Sequence, residues 1–279
     1  MKFTKMHGLR NDFIIVYQNH TPNLEEFSRL AVQMCHRHTG IGADGLVVVY
    51  PSENADAAMR IFNADGSLTE QCGNAMRCVA KYCYERLSAL KDEFTLETKV
   101  GLQTVWVDGS LGKAEKIRVD MGEPVLEPSR IPVVATGRRV INQPVEAGGA
   151  QFYFTGVSMG NPHAVIEVDD ASRFPVEKWG PILETHRLFP NKSNVEFVTF
   201  HSPSEVTMRV WERGVGQTMA CGSGACATLV AGVLLGKLAR RAVIHLLGGD
   251  LEIEWSEADN RVYMSGPAAF VYDGVWLPA

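Results

Sequence analysis

The chain has 279 residues, a formal net charge of −5 and 46% hydrophobic residues. That length and apolar content suit one large domain or two ordinary ones, each with a proper core. The charge is mildly acidic, and the basic runs are no longer than the pairs in "GRRV" and "ARRAV", so nothing is built to follow a phosphate backbone and no nucleic-acid partner is expected.

Taken in chain order, the start "MKFTKMHGLRNDF" lacks the apolar core of a secretory signal. Short runs rich in valine, isoleucine or aromatic residues then recur between turn residues: "DFIIVY", "GLVVVY", "AMRIF", "EFTLET", "LQTVWVDG" and "KIRVDMG" in the first half. "FYFTGV", "HAVIEV", "NVEFVTF", "VTMRVW", "AVIHL", "DLEIEW" and "RVYMSG" follow in the second. These predict strands. Helical spacing is confined to 23–36, 74–87, 176–186 and 222–238. The expected class is strand-dominated α+β. "ATLVAGVLLGKLA" is apolar over only 13 residues, too short to span a bilayer, and reads as a buried helix. No membrane partner is expected, and the expected location is the cytoplasm. Six cysteines without an export signal are expected to be reduced. With no CxxC pair, no metal site is expected.

One stretch occurs twice. "MRIFNADGSLTEQCGN" lies without a gap over "MRVWERGVGQTMACGS" at an offset of 149, which sets Cys72 on Cys221, Thr69 on Thr218 and Asn63 on Glu212. The same offset lays Gly45–Val49 over Asn194–Val198, and an offset of 150 sets Asn11 on Asn161. Matches that keep chain order mark a repeated supersecondary unit. The expected organisation is therefore a half over 1–118, joined by a returning tail 263–279, and a second half over 119–262. The halves are expected to be pseudo-symmetric, with a cleft where the two cysteines confront one another.

Each of those cysteines precedes a small or polar pair, Gly73-Asn74 or Gly222-Ser223, and then a helix. A thiol at a helix N-terminus feels the positive end of the macrodipole, and the free N–H groups there form an anion site. A carboxylate held by two such ends would have one sulfur on each face of its α-carbon. That suits a two-base racemase or epimerase, in which one sulfur removes the α-proton and the other returns a proton. There is no signature of a pyridoxal or nucleotide cofactor; "GIGADG" has the wrong spacing for a dinucleotide loop.

With "KMHGLRNDF", "HTGIGADGL", "RIFNADGS", "QCGNAMRC", "GNPHAV", "NVEFV", "WERGVGQTMACGSGACA" and "GPAAFVYDG" in this order, the chain resembles the diaminopimelate epimerase family over essentially its whole length. The resemblance implies two pseudo-symmetric halves, each an antiparallel sheet rolled around a central helix. It implies a pyridoxal-independent isomerase that converts LL-diaminopimelate to the meso form, in lysine and peptidoglycan precursor synthesis. Cys72 matches the proton donor and Cys221 the acceptor in that direction, with His163 and Glu212 supporting catalysis. Asn11, Asn63, Gly73, Asn74, Asn161, Asn194, Glu212, Arg213, Gly222 and Ser223 match substrate-binding positions, and Tyr272 matches a homodimer interface. No cofactor is implied.

The sequence departs from the family pattern at three places: Arg10 where glycine is usual, Gly45 where many members carry a glutamine that contacts substrate, and Gln217 where glutamate is common. Three other readings exist, one of them a non-catalytic ligand-binding module, which would need no paired thiols. A proline or hydroxyproline racemase would not need the distal set Asn63, Asn161, Asn194 and Arg213. A thiol-redox protein would use Cys72 and Cys221 as a functional disulfide. Cys35, Cys78, Cys83 and Cys226 read as core. Asp44 and Asp65 read as loop-shaping residues.

Overall fold

The chain opens with a hairpin. In the computed structural model β1 (Lys2–Gly8) and β2 (Asn11–Tyr17) pair antiparallel with Gly8 opposite Asn11, so the loop is only Leu9 and Arg10. Both have positive φ, 55° and 69°, as the tightest favoured hairpin turn requires. Arg10 thus occupies a backbone state that favours glycine.

The structure describes residues 1–69, 72–87 and 91–277. Glu70 and Gln71, beside the first cysteine, and the last two residues of the tail lie outside the described residues. The chain forms two compact units, Met1–Asp120 with Ser265–Ala279, and Met121–Met264.

In the first unit α1 (Leu24–Cys35) carries the chain from β2 to β3 (Gly45–Tyr50), which pairs parallel with β2. A parallel pair needs a crossover of this kind. Asn23 starts the helix by accepting hydrogen bonds from the Glu25 and Glu26 amides, and the two acidic side chains suit the positive end of the helix. β4 (Ala57–Asn63) pairs antiparallel with β3, and β5 (Leu68–Thr69) folds back on β4. A second helix, α2 (Gly73–Arg86), leads to β6 (Glu93–Thr98), parallel to β4. β7 (Gly101–Ser110) and β8 (Lys113–Asp120) follow antiparallel. α2 is the central helix: it is buried along most of its length and packs on β1, β2, β4, β7 and β8. α1 sets Phe27, Ala31 and Met34 against Ile14, Leu46 and Phe62 in a separate cluster. β3 is therefore buried along its whole length.

The second unit repeats the plan. β9 (Gln143–Ala147), β10 (Ala150–Ser158) and β11 (Pro162–Glu167) run antiparallel in succession. α3 (Val176–Glu184) crosses to β12 (Asn194–Ser202), parallel to β11. β13 (Glu205–Glu212) and the short β14 (Gly216–Gln217) follow. α4 (Gly222–Leu234) then leads to β15 (Arg241–Leu246), parallel to β13, and β16 (Gly249–Trp255). The chain returns through β17 (Val262–Gly266) to β18 (Ala269–Val275), which pairs with β1 in the first unit. Each unit thus has the same succession of pairings, with parallel neighbours at the same two places. The register agrees as well: Leu46 stands opposite Phe62, and Val195 opposite Trp211, both residues of the second pair lying 149 after those of the first. The expected α+β fold of two like halves is what forms.

α4 is apolar on all sides and buried for most of its length, as a helix at the centre of a sheet must be. It ends at Leu234, not near 238, because Gly236 takes a φ of 71°. The Gly236 amide donates to Val233 and the Lys237 amide to Gly232, which satisfies the last carbonyls in a Schellman turn. Among the described residues no helix is long and apolar enough to cross a membrane.

Candidate active site

Cys72 is the N-cap of α2, and Cys221 is the N-cap of α4. Both have extended backbone, with φ of −145° and −116°, so each sulfur stands at the mouth of a helix whose first N–H groups have no helical partner. Gly73 and Gly222 open the helices and are buried.

In the first unit Cys72 Sγ lies 3.8 Å from Asn11 Oδ1, which also accepts from Asn74 Nδ2 at 3.0 Å. Asn11 Nδ2 donates to Asp44 Oδ2 at 2.8 Å. Asp44, read from sequence as shaping a loop, thereby fixes the amide that faces Cys72. Asp44 is itself tied to Arg37, which bridges to Asp12; Asp12 pairs with the buried Lys5 at 2.6 Å. On the far side of Asn74, Arg77 donates to Asn74 Oδ1 at 2.8 Å and to the Pro267 carbonyl at 3.1 Å. Arg77 is fully buried, so a cation lies behind the Cys72 turn. Asn63 is exposed, and both ends of its amide are engaged, with Ser67 at 2.9 Å and Thr69 at 2.7 Å.

The second unit surrounds Cys221 differently. Its sulfur lies 3.6 Å from Ser223 Oγ and accepts from the Gly224 amide at 3.4 Å. Ser223 Oγ accepts from Asn161 Nδ2 at 3.3 Å. Asn161 Oδ1 lies 2.9 Å from His163 Nε2, and His163 Nδ1 lies 2.7 Å from Glu196 Oε1. His163 and Glu196 are both completely buried. Glu212 accepts a hydrogen bond from Thr218 and is hydrogen-bonded to Cys221. The residue is half-buried overall, and its carboxylate is the enclosed end. Burial raises the Glu212 pKa, against the opposing hydrogen bonds of Thr218 and Cys221. Burial, followed by the charges of Glu212 and Glu196, pushes the Cys221 thiol well above its ordinary value. Asn194 Nδ2 donates to the Pro162 carbonyl at 2.8 Å, and its Oδ1 accepts from the Arg213 amide at 2.9 Å. Asn194 thus braces β11, β12 and the turn after β13. The exposed Arg213 guanidinium donates to Asn191 O at 3.2 Å, and Glu212 and Arg213 do not pair with each other.

The counterparts in the two units keep equivalent bonds. Asn63 accepts from Thr69 where Glu212 accepts from Thr218, and Asn11 bonds Asn74 where Asn161 bonds Ser223. Burial pushes Cys35, Cys78 and Cys83 up to about 12, which leaves those three thiols unreactive. At Gly45 a Cβ would lie 2.8 Å from the Phe62 carbonyl, so no side chain fits there without backbone movement. Gln217 is exposed on β14.

The model of the diaminopimelate epimerase family matches residues 3–127 and 155–271. The chain belongs to the diaminopimelate epimerase family. The diaminopimelate epimerase of Pelotomaculum thermopropionicum is 54% identical over 275 residues, covering 98% of each chain. That of Desulfitobacterium hafniense is 48% identical over 279 residues, covering 99% of this chain and 98% of its own. Among solved structures, a PhzF-family phenazine biosynthesis protein from Bacillus anthracis has a TM-score of 0.70 at 15% identity, over 99% of both chains. A probable proline racemase from Agrobacterium radiobacter has a TM-score of 0.70 at 16% identity, over 99% of this chain and 92% of its own. Likeness at that identity speaks for the fold alone. As a member of the diaminopimelate epimerase family, the chain is an isomerase.

Sequence reasoning passed over three residues of the candidate site: Arg77, Asp44 in its bond to Asn11, and Glu196. The repeat held a signal for Glu196, since it sets that carboxylate on Val47.

Proposed function

We propose that the chain inverts one α-carbon of LL-2,6-diaminopimelate to give the meso isomer, without pyridoxal, and that Cys72 and Cys221 are its two proton-transfer groups. One observation carries the reading: each unit of a duplicated fold sets a cysteine at the N-cap of its buried helix, beside an amide and a polar residue of the helix's first turn.

One thiolate takes the α-proton; the C–H bond breaks, an S–H bond forms, and the electron pair stays on the α-carbon and its carboxylate. The other thiol gives its proton to the opposite face. The backbone N–H groups at Gly73-Asn74 and Gly222-Ser223 hold the carboxylate, where the helix dipoles favour the developing charge. From LL to meso, Cys72 donates and Cys221 accepts, so Cys221 begins as thiolate. Burial opposes that state, and the hydrogen-bonded Glu212, its own pKa raised by burial, is the group that takes the proton. His163 orients Asn161. Asn11, Asn63, Asn161, Asn194 and the Arg213 guanidinium recognise the distal amino-acid head, the arginine taking its carboxylate.

The enzyme acts in the cytoplasm, in lysine and peptidoglycan precursor synthesis. It acts as a homodimer joined through β18, whose Val271, Tyr272 and Val275 are 53%, 46% and 61% exposed. Light scattering of the native protein and of Tyr272→Ala tests this; a monomeric native protein refutes it. For the reaction, the purified protein is incubated with LL-diaminopimelate in heavy water under reducing conditions, with a parallel incubation on proline. Formation of meso isomer with deuterium at the α-carbon is expected. Inversion of proline in its place would move the reading to a proline racemase, and a requirement for an electron acceptor would move it to redox chemistry.

A further inference from the structure

The geometry points to Glu196 as the positioning residue that holds His163 and, through it, the hydrogen-bonded chain leading to Cys221. The inference rests on the proposed epimerase reading and concerns a residue that reading does not use.

Glu196 anchors the far end of a continuous series. Its Oε1 meets His163 Nδ1 at 2.7 Å, His163 Nε2 meets Asn161 Oδ1 at 2.9 Å, Asn161 Nδ2 meets Ser223 Oγ at 3.3 Å, and Ser223 Oγ meets Cys221 Sγ at 3.6 Å. With Nε2–H donating to Asn161, one proton lies between Nδ1 and Oε1, and that contact decides which way the ring faces. The series folds back on itself: a Cβ at Gly224 would lie 2.7 Å from Glu196 Oε1 and 3.2 Å from Cys221 Sγ.

The molecule contains its own control. In the first unit the repeat sets Phe13 on His163 and Val47 on Glu196. Phe13 and Val47 are buried on the equivalent parallel strands, where Phe13 stands opposite Gly45 as His163 stands opposite Asn194. An apolar pair therefore fills these positions in the same fold, and folding does not demand the polar one. Replacing a buried ionic pair by apolar residues of similar volume is often neutral or stabilising. Moreover, Glu196 Oε2 is buried without a hydrogen-bond partner among the described residues. Burying a carboxylate is itself costly, and Glu196 is completely buried, so the carboxylate is kept for what it does to His163.

The test compares Glu196→Gln, His163→Phe and the double variant His163→Phe/Glu196→Val, which copies the first unit's pair and is expected to fold for that reason. Glu196→Gln keeps the shape and removes the charge. It is expected to lower kcat by about 10–100-fold, to leave KM within about threefold, and to shift the pH profile of kcat. The double variant is expected to turn over no more slowly than His163→Phe alone, because Glu196 acts only through the ring. A double-variant rate equal to the product of the two single losses overturns the proposal. So does a Glu196→Gln protein with native kcat and pH profile and only a lowered Tm. A second readout needs no turnover: the 15N resonances of the His163 imidazole are expected to change tautomer or titration in Glu196→Gln, and unchanged resonances overturn the proposal. A native protein inactive on LL-diaminopimelate refutes the epimerase reading alone, and the imidazole spectra still decide the role of Glu196.

Discussion

Gly224 offers a case where two rules of substitution disagree in sign. It is the third residue of α4, and glycine within a helix is about 1 kcal/mol less favourable than alanine. On propensity alone Gly224→Ala stabilises. The surroundings argue the reverse. The added Cβ would stand 2.7 Å from Glu196 Oε1, 3.3 Å from its Cδ and 3.2 Å from Cys221 Sγ, all closer than ordinary van der Waals contact. Glu196 is fully buried and held 2.7 Å from His163, so it has little room to yield. Overpacking of this kind costs about 1–3 kcal/mol. Subtracting the propensity gain leaves a net loss of roughly 0–2 kcal/mol, or a Tm lower by a few degrees for a protein of this size. Turnover falls further, by about 10–100-fold, since the methyl group crowds the sulfur and the Gly224 amide bonded to it; misplacement by about 1 Å can cost a factor of about 100. The first unit indicates the remedy. There the repeat sets Ala75 on Gly224 and Val47 on Glu196. In a Glu196→Val background, Gly224→Ala is expected to be neutral or stabilising by up to about 1 kcal/mol. Thermal unfolding of the four proteins of this cycle measures the stability part, and conversion of LL-diaminopimelate measures the rate part. A Gly224→Ala protein with raised Tm and native turnover would refute the argument, as would a penalty that persists after Glu196 is removed.

Three further outcomes are expected. Cys72→Ala and Cys221→Ala each lower α-proton exchange by at least about 100–10,000-fold, the usual range for a positioned acid or base; substantial epimerisation after loss of either sulfur, followed by NMR in heavy water, would sink the two-base mechanism. Arg10→Gly relieves a positive φ of 69° and gains about 0.5–1 kcal/mol, after the greater freedom of glycine in the unfolded chain is set against it; an unchanged or lower Tm contradicts this. Asp12, despite the opposing effect of burial, is held at about 2 by Arg37, Lys5 and Asp44, so its ion pairs contribute about 2 kcal/mol of stability at pH above 4 that fades as pH falls from about 4 towards 2. Urea midpoints of the native protein and Asp12→Asn should differ most at neutral pH and converge in acid, and a gap that stays constant with pH would count against it.

Much of the fold was legible because the strands of both units carry dense valine and isoleucine. The strands that escaped notice lack that pattern for physical reasons. β1 buries Lys5 against Asp12, so a lysine interrupts its apolar run. β18 is half-exposed or exposed throughout and has no core face to advertise. β9 is short and contains Pro144. At the site, the repeat and the family resemblance brought out Cys72, Cys221, Asn11 and Asn161. Glu196 stayed hidden because "NVEFV" alternates like a strand with one wet face, whereas the residues of β12 from Asn194 to Val198 are buried on both faces. Arg77 stayed hidden because arginine on a helix ordinarily marks the solvent side, and α2 is buried nearly all round.

The residues that sequence patterning missed are the ones that make the two units unlike. Backbone topology, register, helix caps and the first hydrogen bonds at each cysteine repeat. What does not repeat is the set of titratable side chains, several of them buried. Behind Cys72 stands Arg77, whose counterpart is Cys226; around Cys221 stand Glu196, His163 and Glu212, whose counterparts are Val47, Phe13 and Asn63. Buried charge is the costliest feature to add to a fold, and duplication alone would not produce it on one side only. The proposed two-base reaction asks for a proton-transfer group from each unit and for opposite protonation states of the two at any instant. The unlike surroundings bias the pair one way: the buried guanidinium behind Cys72 favours its thiolate and the carboxylates beside Cys221 favour its thiol, the arrangement from which the proposed reaction runs from meso back to LL.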